Sequence, residues 1–466
     1  MTLLYQIGRP VSKRKPGETE KLVDFSVDGR IYTESLSGMA LKRALSDEGK
    51  QTKLVLIYPV SAVLSKDMEP PNDLEQYLRF PKEYLREQLL QENVDDLFVI
   101  HSLGTYMYFD REVTFDVKYD DIVLEIFFEL VKRYLQEKPE DIYVDVSTGH
   151  NISVVALVEA VDHFLNFLAF LHIDREKVPR VFQAFSDPII DNRSSIFKIH
   201  VQPIEHQFHF SSPLLSYMEK NGVKRDDRLN VLKKALKDKA FAEESVEMRT
   251  AKRELTNMLL KSVLVFLSIS KSLPLPLYYF DRVGTLDPTI NVNLDDPDTV
   301  KNRLFAFVDY TLQRLQRDYS RSLGLDKEFL IAVVNELALY DGLVSMLFEN
   351  DIKSFDREKS LAFELLCEKF GQILKKLKIE SILFESETSN LKNRFKNSEH
   401  LDRWISMSVV YDSDEQMDSK PDQRNFYAHI GLERTITEVR FEGKEVYLRY
   451  REDAPFKTIF KYVLEA

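Results

Sequence analysis

Short apolar runs recur through the first two hundred residues, at Leu3 to Ile7, Leu54 to Tyr58, Leu97 to Ile100, Ile142 to Val146 and Val181 to Phe185. That rhythm restricts the fold more than any other feature of the chain. Runs without polar alternation are strands buried on both faces. Helical patterns stand between them, at Leu36 to Leu45, Ile122 to Gln136 and Ser153 to Leu171. Strand, helix, strand repeated in this way predicts a mostly parallel, Rossmann-like sheet with helices on both faces. Val23 to Thr33 reads as a hairpin turning at Asp28-Gly29, a pair that tolerates positive φ. A last strand, Ser195 to Val201, gives out before Pro203, so a domain boundary falls near Ile204.

Beyond Pro203 the pattern is helical. Ser212 to Lys239 is polar and reads as a small helical connector or a winged-helix-like insert. Longer helices are expected at Ala242 to Ile269, Thr299 to Leu325, Lys327 to Phe348 and Arg357 to Ile379, with Pro274 to Pro297 an ordered loop. Asn390 to Ser398 places Lys392, Arg394 and Lys396 around Phe395, a pattern that could follow an RNA strand but reads first as a solvated loop. Tyr411 to Lys420 is acidic and irregular, and Ser419 followed by Asp422 marks a helix start. Val439 to Tyr450 is a hairpin around Glu442-Gly443, closed by a terminal helix. The chain therefore divides into an α/β domain over 1–204, a connector over 205–240 and a helical domain over 241–466, a division that its 466 residues make reasonable.

The apolar fraction of 44% and charged fraction of 30% exclude a disordered chain. A net charge of −12 argues against a protein that coats nucleic acid, while leaving room for a local basic cleft. Cys367, the single cysteine, excludes an intrachain disulfide and a cysteine metal site; in its apolar helical stretch it reads as a packing residue of a protein in a reducing cytoplasm. Leu255 to Ile269, interrupted by Asn257 and Lys261, is too short for a membrane span. Met1-Thr2-Leu3-Leu4 runs directly into strand pattern, so no signal peptide and no membrane partner are expected.

Ligands of open α/β sheets collect beyond the carboxyl ends of strands, where backbone amides and helix N-termini favour anions. Two strand ends carry suitable residues. One is Ile7-Gly8-Arg9-Pro10, a glycine for close approach and an arginine for phosphate. The other is Asp145-Val146-Ser147-Thr148-Gly149-His150-Asn151, which leaves a strand and opens an apolar helix. Ser147 or Thr148 also serves as a helix cap in this reading. No Gly-x-Gly-x-x-Gly or P-loop is present.

A second candidate site lies in Asp422-Gln423-Arg424-Asn425-Phe426-Tyr427-Ala428-His429. Arg424 offers a permanent charge for a phosphoryl centre and His429 a proton carrier near neutrality. On a helix Asn425 and His429 share a face, so the amide can orient the ring, while Arg424 must reach round. His206 and His209 lack a third ligand and read as connector residues rather than a metal pair.

Asp-Val-Ser-Thr-Gly-His-Asn in a Rossmann-like domain, followed by Arg-Asn-x-x-x-His in a helical one, resembles the CRISPR-associated CARF–HEPN ribonucleases of type III systems. The resemblance runs over essentially the whole chain and implies a cyclic-oligoadenylate sensor joined to an all-α, metal-independent RNase. It implies that Arg424 stabilises the transition state, His429 acts as acid or base and Asn425 holds the geometry, with RNA cut by its own 2′-hydroxyl to leave a 2′,3′-cyclic phosphate. Gly8, Arg9, Ser147, Thr148, Gly149, His150 and Asn151 match the positions that face the cyclic ligand. The resemblance further implies a homodimer or larger homo-oligomer that pairs two Arg–His sets, and no cofactor beyond the allosteric activator. The competing reading is a ligand-responsive transcription regulator with the same sensor. The acidic charge, the long helical half and the Arg–His pair count against it. Activator ring size, base preference and self-degradation of the activator are not written in the sequence.

Overall fold

The computed structural model describes residues 1–8, 22–64, 68, 70–89, 94–148, 151–173, 178–188, 196–232, 246–286, 294–352, 360–397, 402–411 and 421–466. Arg9, Gly149, His150, Ser195 and Ser419, with most of the acidic Tyr411 to Lys420 segment and the end of the connector, lie outside them.

In chain order the α/β part runs β1 (Thr2–Ile7), β2 (Val23–Val27), β3 (Arg30–Glu34), α1 (Ser37–Asp47), β4 (Thr52–Pro59), α2 (Leu74–Arg79), α3 (Pro81–Leu89) and β5 (Asp96–Ile100). It continues through β6 (Gly104–Tyr108), β7 (Arg111–Phe115), α4 (Tyr119–Glu137), β8 (Asp141–Asp145), α5 (Asn151–Leu171), β9 (Arg180–Ser186) and β10 (Ile196–Pro203). Every residue of β1 and β8 is buried, as continuous apolar runs in a covered parallel sheet should be. The eight-stranded sheet has the order β3-β2-β10-β9-β8-β1-β4-β5. From β9 to β5 neighbours are parallel; β10 runs antiparallel to β9 and β3 antiparallel to β2.

That order locates the crevice. The chain winds outward from β1 through β4 to β5, then returns to place β8 on the other side of β1, so the winding reverses between β1 and β8. Ligands of open sheets bind at such a switch point, outside the carboxyl ends of the strands. The β2–β3 hairpin turns as its sequence demands, with Asp28 at φ 48° and Gly29 at φ 83°. The β6–β7 hairpin was not anticipated; its strands are largely exposed, and Phe115 alone among their ten residues is buried.

The helical part contains α6 (Pro213–Lys220), α7 (Val246–Ser270), a 3-10 stretch over Leu275–Thr285, α8 (Pro297–Leu315) and α9 (Lys327–Glu349). There follow β11 (Leu361–Ala362), α10 (Phe363–Lys376), α11 (Ile382–Asn397), β12 (Ile405–Ser406), α12 (Met407–Val410), α13 (Gln423–Ala428), β13 (Thr437–Glu442), β14 (Glu445–Tyr450) and α14 (Phe456–Glu465). The hairpin at the end grows into a small antiparallel sheet, β11-β14-β13-β12. Glu336 of α9 ties three elements together, accepting from Ser212 Oγ and Ser262 Oγ at 2.6 Å each and from the Leu214 amide at 3.1 Å.

Three expectations are corrected. The helix expected over Thr299 to Leu325 stops at Leu315, where Asp318 folds back to accept from the Ser320 amide at 3.0 Å, a local bond that competes with helix. The helix expected from Arg357 begins at Phe363, because Leu361–Ala362 pairs with β14. Asn390 to Asn397 is no solvated loop but the end of α11, fixed by Phe395 at 4% exposure.

Two compact units account for these elements: 1–169 with 176–208 and 305–331, and 170–175 with 209–304 and 332–466. Among the described residues two helices, α5 and α9, are long and apolar enough to cross a membrane by length and composition; their apolar windows are 50% and 94% buried within the protein.

Candidate functional site

At the switch point of the first unit, Gln6 of β1 lies opposite Asp145 of β8. Gln6 is fully buried and its amide is shared out: Nε2 donates to Ser37 Oγ and to Thr148 Oγ1, each at 2.9 Å, and Oε1 accepts from the Gly38 amide at 3.2 Å. Thr148 Oγ1 donates onward to the Ile7 carbonyl at 3.0 Å. Ser147 is equally engaged. Its hydroxyl donates to Asp145 and accepts from the Ser186 amide at 2.8 Å, while its own amide donates to Asp145 Oδ1 at 2.8 Å. Ser37 Oγ supplies the other Asp145 oxygen at 2.7 Å. Burial raises the Asp145 carboxyl above its ordinary range, against the opposing pull of these hydrogen bonds.

Gly8 is buried just past β1, its amide bonded to the Ile57 carbonyl at 2.8 Å. A Cβ there would collide with the ring of Tyr58, so the close approach that requires glycine is to an aromatic of β4. Asn151, exposed, opens α5. The structure therefore brings Gly8, Ser147, Thr148 and the start of α5 to the strand ends of one sheet. Among the described residues the Ser147 and Thr148 hydroxyls lock β1, β8 and β9 to one another.

In the second unit Asp422 caps α13, accepting from the Asn425 amide at 2.8 Å, and so takes the position expected of Ser419. Arg424 is exposed and has no hydrogen bond or ion pair among the described residues. His429 sits at the C-cap, its backbone amide bonded to the Asn425 carbonyl at 3.0 Å. The partner that orients its ring is not the Asn425 amide. Nδ1 of His429 lies 2.7 Å from Glu387 Oε1, and the Tyr411 hydroxyl donates to the same oxygen at 2.6 Å. Burial would raise the Glu387 carboxyl, but its bonds to His429 and Tyr411 and the charge of Arg434 hold it below its ordinary range. Burial and the Glu387 bond together push Tyr411 up, so it stays a neutral donor. Arg394 and Arg434 stack on the Tyr411 ring, 4.3 and 4.1 Å from its centroid.

The carboxylate on Nδ1 fixes one ring nitrogen and leaves Nε2 without a partner among the described residues. An imidazole held this way keeps one nitrogen open for proton transfer, and an exposed guanidinium is chemically suited to an anion. Sequence reasoning missed Glu387, Tyr411 and Arg434. A signal for Glu387 existed: Phe384, Glu387, Thr388, Leu391 and Phe395 form one buried stripe of α11, and a carboxylate on an apolar stripe needs a reason. Cys367, by contrast, is a half-buried residue of α10 whose thiol burial pushes up to about 12, which fits packing. Among the described residues no group of three or more His, Cys, Asp or Glu side chains is placed to hold a metal.

Comparison with known families falls on the same two regions. The family model of the CRISPR system endoribonuclease Csx1, CARF domain, matches residues 2–188, from β1 to just past β9. That of the CRISPR system endoribonuclease Csx1, HEPN domain, matches residues 377–452, which take in α11, Tyr411, α13 and the terminal hairpin. No curated protein matches the chain.

Proposed function

Because the chain joins a CARF domain to a HEPN domain and so belongs to the CARF–HEPN ribonucleases of CRISPR systems, we propose that it is a metal-independent endoribonuclease for single-stranded RNA, activated by cyclic oligoadenylate. The observation that carries the chemical reading is the Glu387–His429 pair at 2.7 Å, with the exposed Arg424 in the first turn of the helix that His429 ends.

In this reading Nε2 of His429 removes the proton of an RNA 2′-hydroxyl, and Glu387 stabilises the imidazolium that forms. The 2′-oxygen attacks phosphorus, the bond to the 5′-oxygen breaks, and the products are a 2′,3′-cyclic phosphate and a 5′-hydroxyl that takes up a proton. Arg424 neutralises charge on the phosphoryl oxygens as it builds, the kind of fixed electrostatic help that counts most in the transition state. Asn425 contributes through its carbonyl, which holds the backbone of His429. A homodimer, in which a second copy supplies another Arg424 and His429, provides both the base and the acid.

The activator site of this proposal takes in Gly8, Ser147, Thr148 and Asn151 at the rim of the β1–β8 crevice, together with Arg9, Gly149 and His150, which lie outside the described residues. Ser147 serves it by holding the strand end, since its hydroxyl is already engaged. The backbone at the start of α5 presents donors to a phosphate. Activation is a population shift, and the ligand can drive it only by its difference in affinity for the two arrangements.

The test is cleavage of a labelled single-stranded RNA in chelator-containing buffer, with and without cyclic tetra- or hexa-adenylate, for the wild type and His429→Ala. Activator-dependent cleavage that ends in a cyclic phosphate and disappears in the variant supports the proposal. Undiminished cleavage by the variant removes His429 from it, and indifference to both activators removes the sensor.

A further inference from the structure

The hairpin that closes the second unit has two unlike faces. Val439, Phe441, Leu448 and Tyr450 are buried on one side. The alternate positions Glu438, Arg440, Tyr447 and Arg449 stand across from one another on the other side, by the register Glu438↔Arg449 and Arg440↔Tyr447. Over that polar face lies Trp404, the only tryptophan of the chain, with the Arg449 and Arg440 guanidinium carbons 4.2 and 4.9 Å from its ring centroid. A cavity of about 580 Å³ opens there, lined in part by Arg282, Trp404, Arg440, Arg449, Arg451 and Phe456. Arg282 in turn stacks on Phe456 at 5.6 Å.

Four arginines around one cavity are a local reversal of sign in a chain whose net charge is −12. One acid, Glu452, also lines the cavity, 4.0 Å from Arg449 and 89% exposed. Arg449 is braced by half-buried Glu438 at 2.8 Å and Arg282 lies 3.5 Å from Asp281, but the acids paired with Arg440 and Arg451, Glu442 and Asp453, are 42% and 75% exposed. Exposed pairs of that kind contribute little and exchange readily for another anion. The Nε of Arg440 is buried and has no acceptor among the described residues. Planar guanidinium forks beside an aromatic face suit a ligand that alternates phosphates with flat rings. A duplex, whose bases are already stacked and paired, cannot offer those rings.

The cavity is also joined to the His429 cluster. Arg451 Nη1 donates to the Thr435 carbonyl at 3.1 Å, and the preceding residue, Arg434, stacks on the Tyr411 that bonds Glu387. We propose that this pocket binds a nucleotide of single-stranded RNA flanking the cut, with its base against Trp404 and its phosphate on Arg440, Arg451 and Arg282. The proposal rests on the ribonuclease reading above for the identity of the strand, and it adds a subsite that shares no residue with the Glu387–His429 pair.

The experiment measures binding without cleavage. Full-length His429→Ala protein is titrated with a 5′-labelled single-stranded RNA, read by anisotropy and by the emission of Trp404. Saturable binding that changes this emission is expected. Arg282→Ala combined with Arg440→Ala should weaken it at least tenfold and flatten the salt dependence, by about 1.4 in slope for two lost phosphate contacts on a single strand. Trp404→Phe should keep most of the affinity and Trp404→Ala lose about fivefold, consistent with one stacked base. Circular dichroism checks that each variant is folded. Unchanged affinity in the folded double variant, silent Trp404 emission on saturation, or equal competition by blunt duplex RNA overturns the subsite. A His429→Ala enzyme that still cleaves defeats the catalytic reading instead, and leaves these binding results to be judged separately.

Discussion

The strand ends of the first unit and the α13 segment of the second present similar inventories of polar side chains in opposite states. At the β1–β8 crevice the motif hydroxyls are consumed: Ser147 and Thr148 each donate one hydrogen bond and accept another, within a network of Gln6, Ser37 and Asp145. Around α13 one group is anchored and another left over. His429 is fixed through a single ring nitrogen, and Arg424 is exposed without a partner among the described residues. A buried polar group is costly unless satisfied, so a crevice floor must spend its side chains on itself and recognise a ligand with backbone and rim. A reacting site must keep capacity in reserve. On the proposed function, residues that shape a place are thereby separated from residues that act there.

The largest test strikes the groups held in reserve. His429→Ala is expected to lower activator-stimulated cleavage by at least about a thousandfold, the upper range for loss of an acid–base group that also receives a stabilised charge. Arg424→Ala should cost about a hundred- to a thousandfold, as loss of a transition-state charge donor does, with RNA affinity little changed. Single-turnover rates at saturating RNA measure both. If Arg424→Ala raises the apparent dissociation constant and leaves the rate alone, Arg424 only binds.

A smaller effect is expected at the anchor. Glu387→Gln keeps the shape of the side chain and removes its charge, so we expect a ten- to hundredfold drop in rate. The pH profile discriminates this from simple misfolding. Hydrogen bonds to His429 and Tyr411 hold the Glu387 carboxyl below its ordinary range against the opposing effect of burial. Its folded value therefore lies below its unfolded one, and the stability it contributes is present above the unfolded value and lost as pH falls through the folded value. The wild type should lose stability and activity in that acid window, and the Gln variant, lacking the titrating group, should lose less stability there. An identical acid limb in the two proteins would remove Glu387 from the role.

The same contrast governs what could be read in advance. Buried parallel strands announce themselves as unbroken apolar runs, so β1, β4, β5, β8 and β9 were legible, as were both hairpins with Gly29 and Gly443 at their turns, where φ is +83° and +63°. Strand β6, with no fully buried residue and with Gly104 at its start, gave no such run. The end of α8 depended on a side-chain bond from Asp318 that propensity does not register. At the site, Arg424 and His429 stand in one short motif, whereas Glu387 lies on another helix, forty-two positions away by number, and meets His429 only through folding. Spacing can reveal residues on one element. Residues gathered from different elements show themselves only as exceptions to the burial pattern, as Glu387 does on the stripe of Phe384, Leu391 and Phe395.

The smallest expected effect tests the other half of the comparison. Ser147→Ala removes a hydroxyl that accepts from the Ser186 amide at 2.8 Å and donates to buried Asp145. It leaves one amide without an acceptor and a carboxylate short of one donor, and it creates almost no cavity. Because Ser147 is only half-buried, water can compensate in part, and the cost is about 1–2 kcal/mol rather than the full penalty of a sealed site. The loss should be local. Amide exchange at Ser186 should quicken by about tenfold, the equivalent of 1.4 kcal/mol, while exchange in α9 of the second unit stays unchanged. Affinity for cyclic oligoadenylate, measured by calorimetry on the same protein, should fall by less than about threefold, because a hydroxyl already engaged on both sides has little left to give a ligand. The opposite result, unaltered exchange at Ser186 with a tenfold or greater loss of affinity, would mean that Ser147 leaves its internal partners when ligand arrives. The crevice would then resemble the α13 segment in holding chemistry in reserve, and the difference between the two regions would be one of state rather than of design.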